Sequence, residues 1–194
     1  MKHVDFYFDL SSPYSYLAAT QIDAVAARSG AQVRWRPVVL GAVFKTAGND
    51  MPARVPAKAV YMLKDLERWA EEYGVPFRFT SRFPLNAMKA MRCIVAAEEK
   101  SLEGALSLAL FRAVWVDDRD VTDPAVLREV LAGVGLDPDA TLAATDTQSV
   151  KDRLRAYTDG ALGLGAFGAP TMVVGDALFW GNDRLHFVEK ALRG

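Results

Sequence analysis

The stretch VDFYFDLSSPYSYLA, residues 4–18, determines the fold that we predict for this chain. Its first half alternates apolar and polar side chains with a period of two, which is typical of a β-strand over residues 4–9. Ser12 and Pro13 then form the pair that commonly begins a helix, a capping hydroxyl followed by a proline in the first turn. A second strand is predicted at residues 33–38. The chain therefore opens with a β-α-β unit, in which the two strands are usually parallel.

After this unit, the sequence pattern changes to helices and then returns to strands. Residues 41–56 are rich in glycine, proline and asparagine, which predicts mostly loop with one short helical piece. Residues 57–160 show only helical periodicity. Residues 171–180 predict a hairpin with the two-residue turn Gly175-Asp176, and a last helix follows over residues 183–193.

The order of these elements is that of an α/β thioredoxin-like fold with an inserted all-helical subdomain. We predict that residues 1–45 and 146–194 together form the thioredoxin-like domain. Residues 46–145 are then the inserted helical domain.

Composition and charge exclude several classes of protein. The chain has 194 residues, of which 51% are hydrophobic and 24% are charged, as in a soluble globular protein. Its formal net charge of −1 provides no overall field for nucleic acid or for an acidic membrane. No segment approaches the ~18–20 apolar residues of a membrane helix, and the first residues are too acidic for a signal peptide. We therefore predict a cytoplasmic protein that binds neither nucleic acid nor membranes.

The single cysteine, Cys93, excludes an internal disulfide and an internal dithiol centre. Cys93 lies in an apolar helical pattern, which predicts a small buried side chain rather than a nucleophile. His3 and His186 are the two histidines, too few for a zinc site unless carboxylates join them. The acidic run Asp117–Asp120 lacks the glycine and the spacing of a calcium loop. We predict no metal and interpret this run as a solvated connection between helices.

The junction between the first strand and the first helix is the first candidate site. Unpaired backbone N–H groups and the positive end of the helix dipole favour an anion there. In one interpretation, Ser12 is simply the helix cap. In the other, its hydroxyl also donates to an external anion such as a thiolate. The two interpretations are compatible.

A second candidate is the sequence Gly168-Ala169-Pro170, just before a predicted strand. An X-Pro bond at a strand entrance is a common place for a cis peptide. In a thioredoxin-like fold, a cis-proline here faces the start of the first helix, and Ala169 offers its backbone to an extended peptide. The alternative is an ordinary turn proline.

The third candidate is the pair Asn182-Asp183, ahead of the last helix. In the simpler interpretation, one of the two residues is the cap of this helix and has no further role. The same helix start can also hold a ligand carboxylate through its N–H groups, whereas the acidic Asp183 would suit a ligand amine.

Four strings carry a family resemblance: DFYFD at residues 5–9, SPYSYL at 12–17, FGAPT at 167–171 and FWGNDRL at 179–185. Together they resemble the 2-hydroxychromene-2-carboxylate isomerases. These are bacterial relatives of the kappa-class glutathione transferases, in the DsbA-like branch of the thioredoxin superfamily. Each string is weak alone, but four in the same order along the whole chain make the resemblance specific.

The resemblance implies a glutathione site. In the dithiol members a Cys-Pro-X-Cys motif begins the first helix, and serines stand at both cysteine positions here. Ser12 would contact the glutathione sulfur, and Ala169, before the cis-proline Pro170, would pair its backbone with the cysteinyl part. The remaining contacts would come from Asn182 and Asp183 at the γ-glutamyl end and from Lys58 at the glycyl carboxylate.

On the substrate side, the resemblance implies roles for Lys45, Asn49 and Asn86. Lys45 could add positive potential or bind a substrate carboxylate, and its alternative is a solvated loop lysine. The two asparagines have equally simple explanations as turn or cap residues. Trp69 and Trp115 are predicted in the core, with Trp115 alternatively forming a wall of the substrate pocket.

The activity that the resemblance implies is a glutathione-dependent isomerisation of a small aromatic carboxylate, with glutathione as cofactor and a homodimer as the expected assembly. No histidine lies in a motif beside Ser12, so Ser12 is expected to stabilise the thiolate rather than to act as a covalent nucleophile. Two alternatives remain. One is a kappa-like glutathione transferase or peroxidase, and the other is a thioredoxin-fold module that binds extended peptides without catalysis.

Overall fold

The computed structural model describes residues 2–194 and contains a mixed sheet of four strands. The strands are β1 (His3–Phe8), β2 (Gln32–Pro37), β3 (Thr171–Val174) and β4 (Ala177–Trp180). The helices are α1 (Pro13–Arg28), α2 (Leu40–Ala47), α3 (Pro56–Tyr73), α4 (Met88–Ala97), α5 (Glu103–Trp115), α6 (Pro124–Gly133), α7 (Pro138–Ala144), α8 (Gln148–Gly163) and α9 (Leu185–Arg193). Short 3₁₀ turns cover Pro52–Arg54, Glu98–Lys100 and Asn182–Arg184.

The sheet has the strand order β2-β1-β3-β4, with β1 in its interior. Strand β1 pairs in parallel with β2 and antiparallel with β3. Strands β3 and β4 form an antiparallel hairpin, and Val174 faces Ala177 across its two-residue turn. Both the predicted β-α-β unit and the predicted hairpin are confirmed.

Residues 41–56 contain the short helical piece that was predicted, α2, but they are not mostly loop, because a 3₁₀ turn follows α2 and α3 begins at Pro56. Helix α2 forms because Val43 is buried on its inner side, while Gly48 ends it in the left-handed conformation with φ of 65°. The glycine that suggested a loop is therefore the C-terminal cap of a helix.

The helical middle also contains a segment without helix or strand, between α3 and α4, which the periodicity did not reveal. Asp118 anchors this segment: it accepts hydrogen bonds from Ser81 N–H at 2.9 Å and Thr80 Oγ1 at 2.8 Å. Arg78 adds an ion pair at 3.2 Å. Residues 117–120 do connect two helices, α5 and α6, as predicted, but the run is not simply solvated, since the carboxylate of Asp118 holds a neighbouring segment in place.

These contacts make the stability of the protein sensitive to acid. The Ser81 N–H, the Thr80 hydroxyl and Arg78 lower the pKa of Asp118 to about 2. A lowered pKa stabilises the folded state fully above the unfolded value of about 3.9, and this contribution is lost as the pH falls towards the folded value. We expect Asp118→Asn to destabilise the protein at neutral pH and to make a smaller difference near pH ~2. Urea unfolding at both pH values checks this, and an equal difference at both would contradict it.

The helical insert and the sheet share one hydrophobic core. Phe8 of β1 packs edge-on against Trp35 of β2, with ring centroids 5.5 Å apart, and lies 5.6 Å from Phe111 of α5. Trp115, at the end of α5, is fully buried and donates a hydrogen bond from Nε1 to Leu10 O at 2.9 Å. The insert is therefore fastened directly to the loop between β1 and α1.

Of the two predicted domain boundaries, the one after residue 145 falls between α7 and α8, whereas the one after residue 45 falls within α2. The division into two domains stays a proposal. Within residues 2–194, no helix is both long enough and apolar enough to cross a membrane.

Candidate active site

A cleft of about 1260 Å³ lies where the start of α1, helices α2 and α3 and the loop before β3 come together. Its size exceeds that of most single-ligand pockets, which hold ~300–1,000 Å³. The structure brings most of the predicted site residues to this cleft: Ser12, Asn49, Lys58, Asn86, Ala169, Asn182 and Asp183.

Ser12 is placed by the first turn of α1, which it caps. Its Oγ accepts a hydrogen bond from Ser15 N–H at 3.1 Å and donates one to Ala169 O at 3.2 Å. The capping role is confirmed, and the hydroxyl proton points across the cleft floor to the loop before β3. A ligand that donates its own N–H to Ala169 O would release this hydroxyl to donate to the ligand.

Ser11, the neighbouring hydroxyl, is already engaged. Both its N–H and its Oγ donate to Asp9 Oδ1 at 2.8 Å, while Leu40 N–H donates to Asp9 Oδ2 at the same distance. Burial raises the pKa of Asp9, and these hydrogen bonds oppose the rise. Asp9 thus joins the start of α1 to the start of α2. Sequence reasoning missed it, although an aspartate three residues before a helix cap was a visible signal.

The peptide bond between Ala169 and Pro170 is cis, so the alternative of an ordinary turn proline was wrong. Pro170 is buried, and its carbonyl accepts from Gly181 N–H at 3.0 Å. Pairing between β1 and β3 begins only at Thr171. The backbone of Ala169 therefore lies outside the strand ladder, beside Ser12.

Asn182 and Asp183 lie in the 3₁₀ turn before α9, and neither side chain caps that helix, so the capping interpretation was wrong. Asn182 is only 2% exposed, and its carbonyl accepts from Tyr73 Oη at 2.8 Å. Asp183 pairs with Arg184. The turn is thus tied to α3.

Helix α3 forms another wall of the cleft and carries two polar groups, Lys58, which the sequence resemblance singled out, and Asp65, for which the sequence predicted no role. Lys58, in its first turn, is exposed and lines the cleft. Further along, Asp65 Oδ2 accepts from Tyr14 Oη at 2.9 Å, which joins α3 to the second residue of α1. Burial, followed by the hydrogen bond to Asp65, raises the pKa of Tyr14, so this phenol stays protonated.

Two of the three predicted substrate-side residues line the cleft, and the third does not. Asn49 lines the cleft and donates from Nδ2 to Phe167 O at 3.1 Å, which links the segment after α2 to the loop before β3. Asn86 lines the cleft and accepts from Met88 N–H at 3.1 Å, at the start of α4. Lys45 is exposed and does not line the cleft, because α2 turns Leu40, Gly41 and Phe44 towards it.

Trp115 lies in the core as predicted, and its alternative role as a pocket wall falls instead to Trp69. Trp69 is half-buried and lines the cleft, whereas Trp115 is fully buried away from it. Cys93 is fully buried as predicted, and burial raises the pKa of its thiol to about 12. Among residues 2–194, no three His, Cys, Asp or Glu side chains are grouped as a metal site requires.

This sheet with its helical insert, and a cis-proline opposite a helix cap, define a protein of the thioredoxin class. A family model described as a DSBA-like thioredoxin domain matches residues 3–193. The predicted fold class is confirmed.

Comparison with individual proteins is more specific. The chain is 35% identical to a 2-hydroxychromene-2-carboxylate isomerase of Sphingobium xenophagum, with 98% of each chain covered. The solved structure of a 2-hydroxychromene-2-carboxylate isomerase superposes with a TM-score of 0.90 at 30% identity, covering 98% of this chain and 94% of that one. A glutathione S-transferase kappa 1 of Caenorhabditis elegans is 28% identical, covering 100% of this chain and 92% of the transferase. The chain therefore belongs to the 2-hydroxychromene-2-carboxylate isomerase family of DsbA-like proteins, as the resemblance predicted.

Proposed function

We propose that the chain is a glutathione-dependent isomerase that interconverts 2-hydroxychromene-2-carboxylate and trans-o-hydroxybenzylidenepyruvate. The observation that carries this proposal is the hydrogen bond of 3.2 Å between Ser12 Oγ and Ala169 O. It places a hydroxyl donor next to a backbone edge suited to a cysteinyl residue. The full-length similarity to isomerases named for this substrate supports the reaction.

Residues suited to each part of glutathione line the same cleft, which supports the proposal. Ala169 offers its backbone to the cysteinyl part, the turn at Asn182 and Asp183 lies at one end, and Lys58 lies on α3. Arg54 and Arg184 also line the cleft but are paired with neighbouring aspartates. Lys58 forms no ion pair within residues 2–194, so its ammonium group is available to the glycyl carboxylate.

When bound, glutathione supplies a nucleophilic thiol that adds reversibly to the conjugated system of the substrate and is regenerated. The pKa of a free thiol is about 8.5, so little thiolate forms at neutral pH. Ser12 Oγ is proposed to donate to the sulfur and, together with the positive end of the α1 dipole, to favour the charged form. Ser11 cannot replace it, since its hydroxyl is held by Asp9.

The substrate is proposed to be a small aromatic carboxylate that enters beside the sulfur position. The cleft is mostly apolar, which suits an aromatic ring. The apolar side chains that line it include Phe44, Met51, Met62, Phe83 and Met88.

We also propose a homodimer in the cytoplasm, where glutathione stays reduced. The first half of α3 exposes large apolar side chains, which supports burial against a second copy. These are Val60 and Leu63, which do not line the cleft; Val55 and Tyr61 are also exposed but border the cleft. Light scattering that gives the mass of one chain would contradict the dimer, and cell fractionation tests the location.

Lys58→Met is expected to raise the KM for glutathione about tenfold and to leave kcat nearly unchanged, because one charged contact to the ligand is lost. Steady-state kinetics with varied glutathione measures both constants. Lys64→Met is the matched control, since Lys64 is an exposed lysine of the same helix that does not line the cleft. Equal effects of the two substitutions would refute the assignment.

The reaction itself is tested by following conversion of 2-hydroxychromene-2-carboxylate with and without glutathione, together with the total free thiol. The proposal predicts turnover that requires glutathione and leaves its concentration constant. Consumption of thiol would instead indicate a transferase or peroxidase. Absence of glutathione binding, with binding of extended peptides, would indicate the peptide-binding module.

A further inference from the structure

Two large aromatic side chains are exposed side by side at the mouth of the cleft. Trp180 is 47% exposed and Phe167 is 39% exposed, with ring centroids 4.9 Å apart. Trp180 lines the cleft and Phe167 does not. Trp180 therefore packs against Phe167 and borders the cleft, and its exposure leaves apolar surface open to a ligand.

The position of the indole is closely defined by its neighbours. Trp180 is the last residue of β4 and lies opposite Thr171 in the hairpin. A Cβ added at Gly168 would lie 2.6 Å from Trp180 Nε1, so the ring packs against the glycine just before Ala169. The indole is thus held over the loop whose backbone is proposed to pair with the ligand.

We propose that Trp180 is a specificity-determining residue that packs on the γ-glutamyl arm of glutathione and selects γ-glutamyl thiols over shorter ones. This inference rests on the proposed function. Trp180 pairs with Thr171, two residues after Ala169 at the cysteinyl position, and precedes Asn182 of the γ-glutamyl turn by two residues. A ligand that binds at both positions lies beside Trp180, whose indole can pack on the two methylene groups of the arm. Discrimination by such apolar contacts is typically about 10–200-fold per methylene in an enclosed pocket.

The test compares three thiols by calorimetry: glutathione, γ-glutamylcysteine, which lacks the glycyl residue, and cysteinylglycine, which lacks the γ-glutamyl arm. Trp180 is partly exposed to solvent, so we expect an effect at the lower end of the range for such apolar contacts. Trp180→Ala should weaken the binding of glutathione and of γ-glutamylcysteine about tenfold. Binding of cysteinylglycine should change less than about twofold, since it does not reach the indole. Trp180→Phe should restore most of the loss by retaining an aromatic surface.

Phe187→Ala is the control, because Phe187 is equally exposed at 47% but lies on α9 outside the cleft. Unchanged glutathione binding in Trp180→Ala, or an equal loss for all three thiols, would overturn the inference while leaving the proposed function intact. Failure of the wild-type protein to bind any of the thiols would instead overturn both.

Discussion

Ser12→Ala is expected to lower kcat/KM for isomerisation by about 100-fold or more, the usual effect of removing a hydrogen-bond donor from a developing anion. The variant loses the hydroxyl that lies 3.2 Å from Ala169 O and is proposed to donate to the sulfur. The thiol pKa of bound glutathione should rise towards its free value. The activity profile should therefore move to higher pH, a shift that a purely structural defect would not produce.

Ser11→Ala is the matched control for this substitution. Its hydroxyl donates to Asp9 rather than to the cleft, so we expect a much smaller loss of activity and no change in the pH profile. Ser12→Ala also removes the cap of α1, at a cost of about 1 kcal/mol, which thermal unfolding will register without loss of the fold. Comparable activity losses in the two variants would refute the role of Ser12.

Trp115→Ala is expected to lower the free energy of unfolding by about 3–5 kcal/mol, the largest stability effect that we predict. Trp115 is fully buried, packs edge-on against Phe79 at 5.5 Å and stacks on Phe77 at 6.2 Å. Its removal opens a cavity between the insert and the loop that carries Leu10. Urea unfolding at neutral pH measures the change.

Trp115→Phe separates packing from hydrogen bonding. It keeps an aromatic ring but leaves the Leu10 carbonyl without its donor, at a cost of about 1–3 kcal/mol. A loss below about 1 kcal/mol in Trp115→Ala would contradict the view that the insert and the sheet share one core.

The parts of the fold that follow from local signals could be predicted. The Ser12-Pro13 pair specifies its own helix start, and Gly175-Asp176 specifies its own hairpin turn. The extent of helix in residues 41–56 was underestimated because Gly48 was interpreted as a loop residue. Gly48 is a cap because a helix precedes it. That helix is held in place by the burial of Val43, which depends on residues distant in the chain.

The residues of the candidate site also fall into those that local signals predict and those that they do not. Ser12 and Ala169 could be placed together because each belongs to a junction whose position follows from the topology. Lys45 could not be placed, since the rotation of α2 decides which residues face the cleft. Trp69 and Trp180 acquire their roles only through contacts with distant segments, which no pattern along the chain reveals. Asp9, by contrast, could have been found from its position three residues before the cap of α1.

The most direct test of the account is a pH titration of the ultraviolet thiolate absorbance of glutathione in the presence of saturating wild-type protein. We expect the bound thiol to titrate at least about one unit below the ~8.5 of the free thiol, because Ser12 and the start of α1 stabilise its charged form. A midpoint equal to that of free glutathione, or no binding at millimolar concentrations, would contradict the central claim.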